Sequence, residues 1–128
     1  MRRSLILALA ILCGWPILSS CQQSSECLVD AEEVKQANND IVMLDVRTPQ
    51  EFAQGHLDGA ININVLQSDF TKEVEQLDKN KTYYVYCRSG RRSANAQKMM
   101  KNIGFQEVCN VKGGVLRLGA NGVELVKP

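Results

Sequence analysis

Short apolar runs alternate with stretches of helical spacing from Cys27 onward, with few residues between them. That alternation constrains the fold most, because strands joined by helical crossovers must run parallel and be covered on both faces. Ile41-Val42-Met43-Leu44 is continuous and apolar, as a strand buried on both sides requires. Thr82-Tyr83-Tyr84-Val85-Tyr86 is β-branched and aromatic, and Glu107 to Val111 reads as a further strand. Cys27 to Val29 and Ala60 to Ile63 supply the remaining strands. Between them, Ala31 to Asn38 is a helix capped by Asp30 with Glu33 as its box partner. Thr48-Pro49-Gln50-Glu51 starts a second, with Thr48 as cap and Pro49 at its first position. Ser68 or Asp69 caps a third, running to about Leu77, with Phe70, Val74 and Leu77 inward. Ala96, Met99, Met100 and Ile103 give the helical face of Ala94 to Ile103, which Gly104 stops. Val115 to Leu118 begins a last short helix. The expected fold is α/β, a roughly five-stranded parallel sheet with helices on both faces.

Chemistry concentrates in Cys87-Arg88-Ser89-Gly90-Arg91-Arg92-Ser93, between the aromatic strand and the longest helix. A helix N-terminus presents unpaired N–H groups and partial positive charge. With three arginines beside it, the loop favours thiolate over thiol at Cys87 and attracts anions. Gly90 lets the chain bend tightly there. Asp45 and Arg47 stand at the end of another strand, where open α/β sheets place ligands.

Composition bounds the alternatives. The 128 residues are 45% apolar and 23% charged, with a formal net charge of +1. Setting Arg2 and Arg3 aside leaves 13 Lys+Arg against 14 Asp+Glu. No overall basic field argues for nucleic acid, so the arginines near Cys87 are a local feature. No CxxC and no Cys/His cluster occurs, so neither a zinc site nor another metal site is expected.

At the N-terminus, Arg2-Arg3, the apolar run Ser4 to Leu12 and the small residues before Cys21 describe an export signal over residues 1–20. Leu18-Ser19-Ser20-Cys21 resembles the bacterial lipobox, which implies cleavage before Cys21 and its lipidation. Residues 21–26 then form the lipidated cysteine and a polar tether, and residues 27–128 the folded domain. Gln22, rather than Asp, after the cysteine implies the periplasmic face of the outer membrane in the enterobacterial sorting rule. Cys27, Cys87 and Cys109 remain in the mature chain.

Three motifs in order identify the domain as similar to a single-domain rhodanese. They are Leu44-Asp45-Val46-Arg47-Thr48-Pro49-Gln50-Glu51-Phe52 followed by Gly55-His56-Leu57 and Gly59-Ala60; Tyr86-Cys87 through Ser93; and Lys112-Gly113-Gly114. Leu118 stands where many members carry Trp. The resemblance covers roughly Cys27 to Val126. It implies a sulfurtransferase with no cofactor, in which Cys87 takes the sulfane sulfur of a donor such as thiosulfate as a persulfide. A thiol acceptor, or cyanide, then removes it. The backbone from Arg88 to Ser93 cradles the persulfide, Arg92 closes the loop, and Arg88 and Arg91 face the substrate. Asp45 and Arg47 orient the loop through ion pairs. Gly113 and Gly114 allow backbone to approach it closely, and His56 is structural.

The related phosphatases need C-x5-R, whereas Cys87 to Arg92 is C-x4-R and Ser93 takes the next place. A persulfide carrier or partner-binding module is the alternative to an enzyme. A thiol-redox or arsenate-type reductase would want a resolving cysteine near Cys87. The family's sheet sets its first strand beside its last, which leaves two readings for Cys27 and Cys109: a disulfide in an oxidising compartment, or two buried thiols.

Overall fold

The computed structural model describes residues 25–128 together with Gly14. The proposed signal, Cys21 and most of the tether lie outside the described residues. Five parallel strands form one sheet: β1 (Leu28–Val29), β2 (Ile41–Asp45), β3 (Ile61–Asn62), β4 (Thr82–Tyr86) and β5 (Glu107–Val111). Their order is β1-β5-β4-β2-β3. Five helices connect them: α1 (Ala31–Gln36), α2 (Pro49–Gln54), α3 (Phe70–Val74), α4 (Arg91–Asn102) and α5 (Gly114–Ala120).

Alternate residues of each central strand enter two separate cores, which is why these strands read as continuous apolar runs. Leu44, Tyr83, Val85 and Val108 pack with Phe70 and Val74 of α3 and Ala96 and Met100 of α4. On the other face, Tyr86, Cys109 and Val111 pack with Ala31 and Val34 of α1 and Leu118 of α5. Leu118 is fully buried in this second core.

Local signals set several helix starts. Asp30 and Thr48 both form complete capping boxes, with Glu33 and Glu51 respectively, and Pro49 sits in the first turn of α2. Other expectations need correction. Helix α1 ends at Gln36 rather than Asn38, and α3 stops at Val74 rather than near Leu77. Asp69 precedes α3 without a side-chain cap, and beyond Val74 the chain tightens into i→i+3 turns, with the Gln76 N–H on the Glu73 carbonyl and the Leu77 N–H on the Val74 carbonyl. Helix α4 begins at Arg91, not Ala94. Gly90 adopts φ +95°, a left-handed conformation that turns the chain into the helix at once. Arg91, Arg92 and Ser93 are therefore the first turn of α4, and the connection from β4 is only Cys87 to Gly90.

The chain runs from β2 to one side of the sheet and from β4 to the other, so the strand order reverses between these neighbours. In open parallel sheets the crevice at such a reversal, outside the C-terminal strand ends, is where ligands bind. Cys87 follows β4 and Asp45 ends β2, so both lie at this crevice. Cys27 and Cys109 are joined by a disulfide across the β1–β5 pair, with Cα atoms 4.5 Å apart.

Candidate active site

Cys87 is the free cysteine of the described residues and is almost wholly buried. Its Sγ accepts hydrogen bonds from the Gly90 N–H at 3.1 Å and from Ser93 Oγ at 3.4 Å. Burial pushes the thiol up. The Ser93 hydroxyl and the N–H groups of Ser93, Gly90 and Ser89 outweigh it and hold the pKa below the ordinary cysteine value. The donors belong to the loop and to the first turn of a 12-residue helix, whose dipole adds to the same effect. The recessed sulfur thus meets donors that favour its thiolate over its thiol.

The loop is clamped from three directions. From α5, the Val115 and Leu116 N–H groups donate to the carbonyls of Cys87 and Arg88, at 3.0 and 3.2 Å. Gly114 makes this approach possible, because a Cβ there would stand 2.5 Å from the Arg88 oxygen and closer still to that of Cys87. Its φ of +55° disfavours a side chain as well. Gly113 turns the chain just before, at φ +75°.

From α2, Glu51 grips Arg92 through two hydrogen bonds of 2.8 Å, Nη1 to Oε2 and Nη2 to Oε1. Arg92 thus closes the loop by pairing across the crevice, with its guanidinium turned to a carboxylate. Glu51 was legible only as the capping-box partner of Thr48, a role it also fills, and its reach to α4 was missed. From β5, the Asn110 side chain donates to the Gly90 carbonyl at 3.1 Å, a contact that sequence reasoning did not find either.

Asp45 and Arg47, expected to orient the loop through ion pairs, make their side-chain hydrogen bonds elsewhere. They pair with each other, Arg47 Nη2 to Asp45 Oδ2 at 2.6 Å, and both are buried. Arg47 also donates to the Gly55 carbonyl at 2.7 Å. A buried pair is stable only when its remaining hydrogen-bonding capacity is used, and these contacts use it to fix the end of α2. The pair acts on the loop at one remove, by placing the helix that carries Glu51. His56 stacks on Phe52 with ring centroids 3.7 Å apart, and its Nδ1 lies 2.9 Å from the Phe52 carbonyl, which is a packing role.

Arg88 and Arg91 are exposed and have no ion-pair partner among the described residues. They are free to meet an incoming anion, whereas Arg92 is already neutralised by Glu51. A cavity of about 320 Å³ opens beside Arg88, lined by Glu51, Gln54, Val115 and Leu125 among others.

The Glu51–Arg92 clamp carries a pH signature. Hydrogen bonding to Arg92, opposed by burial and helped by Thr48, holds the Glu51 carboxyl down at about 2 instead of 4.5. Because the folded value is the lower one, the stabilisation is complete above pH 4.5 and fades as pH falls toward 2. Glu51→Gln is expected to lower stability at neutral pH by about 1–2 kcal/mol, since the pair is partly exposed. Urea unfolding followed down that window should show a shallower acid limb in the variant than in the parent. Equal limbs would mean that the clamp carries no charge-dependent stability.

A buried cysteine sulfur that accepts from a loop N–H and a serine hydroxyl at a helix N-terminus, in the crevice of a parallel sheet, has the layout of a cysteine-based group-transfer domain. Residues 30–120 match the model of the Rhodanese-like domain, and the chain belongs to that family. It is 29% identical over 103 residues to a sulfurtransferase of Allochromatium vinosum, spanning 78% of this chain and 94% of that protein. It is 37% identical over 70 residues to the thiosulfate sulfurtransferase PspE of Escherichia coli, spanning 55% and 67% respectively. The crystal structure of a rhodanese-related protein from Thermoplasma volcanium aligns with a TM-score of 0.72 at 28% identity, over 80% of this chain and 99% of the other. Sulfur transfer is the activity that membership of this family supports.

Proposed function

We propose that this chain moves the sulfane sulfur of thiosulfate through a persulfide on Cys87. The Cys87 thiolate attacks the outer sulfur of thiosulfate, a new S–S bond forms, and sulfite leaves with the electron pair of the broken bond. The resulting persulfide is an anion and keeps the same N–H donors. Cyanide, or the thiolate of an acceptor, then attacks the terminal sulfur and returns Cys87 as thiolate, with thiocyanate or an acceptor persulfide as product. No net redox change or cofactor is needed in either half-reaction.

The observation that carries this reading is the cradle itself. Gly90 and Ser93 donate to the Cys87 sulfur, while Arg88 and Arg91, beside it in the loop and at the start of α4, are exposed and without an ion-pair partner among the described residues. A dianionic donor is attracted by those two cations, and the same positive charge stabilises the sulfite that leaves. Incubating the protein with thiosulfate should therefore add one sulfur atom to Cys87 by intact mass and release one equivalent of sulfite. Cyanide should then discharge the sulfur as thiocyanate, turn after turn. Loading without turnover would favour a persulfide carrier instead. Folded protein that neither loads sulfur nor turns over would overturn the reading.

We infer also that the chain is exported and tethered to the bacterial envelope through a lipid on Cys21. The Cys27–Cys109 disulfide supports this, since such bonds persist in oxidising compartments. Mass spectrometry of the mature N-terminus tests it: an acylated Cys21 is expected, and an unprocessed Met1 would refute the assignment.

A further inference from the structure

Asn110 stands near the end of β5, 5% exposed, among the buried apolar residues Val108, Cys109 and Val111. Its Nδ2 donates to the Gly90 carbonyl, while its Oδ1 is buried without a hydrogen-bond partner among the described residues. The Gly90 carbonyl can only accept, so the nitrogen must be the atom that faces it. A buried acceptor left unmatched costs roughly 1–3 kcal/mol. Nor does the Gly90 carbonyl depend on Asn110, because the Ala94 N–H already reaches it at 3.2 Å. Neither packing nor hydrogen-bond satisfaction explains a carboxamide here, and an apolar residue would suit the strand better. A buried polar group that works against stability points to function.

What the carboxamide does is visible from its partner. Gly90 is the left-handed residue at the turn into α4, and its N–H bears on the Cys87 sulfur. It is held on both sides, by the sulfur at its N–H and by Asn110 and Ala94 at its carbonyl. Asn110 is itself immobilised. Its backbone N–H donates to the Cys27 carbonyl at 2.9 Å, its neighbour Cys109 is in the disulfide, and it pairs in register with Leu28 and Val85 on either side.

We propose that Asn110 is a positioning residue for sulfur transfer, a brace from β5 that fixes Gly90 so that its N–H stays aimed at the Cys87 sulfur. The brace serves thiolate and persulfide alike, since both place an anionic sulfur in the same cradle. The proposal rests on the reading of Cys87 as the sulfur-carrying nucleophile, but it concerns the thiolate and is read without turnover.

The test is the pH dependence of iodoacetamide alkylation, followed on the Cys87 peptide of the full chain. Asn110→Ala removes the donor, and Asn110→Leu removes it while filling the volume. In both variants the alkylation midpoint should rise. The rate below the parent's midpoint should fall about fivefold, the worth of one ordinary hydrogen bond. In the thiocyanate assay kcat should fall with little change in KM for thiosulfate, and the melting temperature should hold or rise. An unmoved midpoint in both variants would overturn the proposal. So would a lower melting temperature with an unmoved midpoint, or the failure of both variants to fold, because either would make Asn110 a packing residue only. A parent that alkylates as expected but makes no thiocyanate would refute the sulfur-transfer reading and leave the brace to be decided by the midpoints.

Discussion

Cys87→Ser is expected to lower thiocyanate formation from thiosulfate and cyanide by more than about 10⁴-fold, to the uncatalysed rate. The reason is chemical. A serine hydroxyl keeps its proton at neutral pH, because donated hydrogen bonds such as that of the Gly90 N–H cannot stabilise an alkoxide enough to form it. An alkoxide attacking sulfane sulfur would form an O–S bond in place of the stable disulfide-like bond of a persulfide. No other thiol of the described residues can substitute, since Cys27 and Cys109 are bonded to each other. The substitution should leave the fold intact. Serine is nearly isosteric, and its oxygen can accept from the same Gly90 N–H that now meets sulfur. Equal melting temperatures with a lost rate would place the effect in the chemistry. Activity above about 1% of the parent in folded protein would mean that sulfur does not pass through Cys87.

Much of this site was legible from short-range patterns. Thr48, Pro49 and Glu51 announce the start of α2 because a capping box is a local device, complete within four residues. The cysteine at a strand end and the glycine after it were equally plain. What stayed hidden depends on pairings over long sequence separations. Glu51 has a sufficient local explanation, and its second partner, Arg92, is 41 residues away. Only the strand order, which sets β4 beside β2, brings them together. Asn110 in a run of Val, Cys and Val looks like a weak strand residue until the start of α4 is seen against it. Asp45 and Arg47 misled for the opposite reason. Their charges suggested ion pairs that orient the loop, and the ion pair they form, two residues apart at a strand end, is with each other. The early start of α4 was missed because no Ser, Thr, Asp or Asn caps it; a left-handed glycine does that work instead.

Loss of the Cys27–Cys109 disulfide is expected to cost about 3–5 kcal/mol of stability, a large part of what a domain of this size possesses. The bond closes a loop spanning 82 positions of sequence, and cross-linking so long a segment removes much of the unfolded chain's freedom. The folded state also leans on it. Strand β1 is only two residues long, lies at the sheet edge, and has Leu28 exposed. Near the bond, β1 and its preceding residue are held by Asn110 N–H on the Cys27 carbonyl, Lys112 N–H on the Val29 carbonyl, and the Gln97 side chain on Cys27. Cys27→Ala/Cys109→Ala should therefore melt roughly 15–20 °C below the parent, and reduced parent protein should match the double variant. Agreement between the two would assign the loss to the cross-link rather than to the removed sulfur atoms. A fall of less than about 1 kcal/mol in both would show that the edge strand holds itself and that the disulfide adds little to the fold.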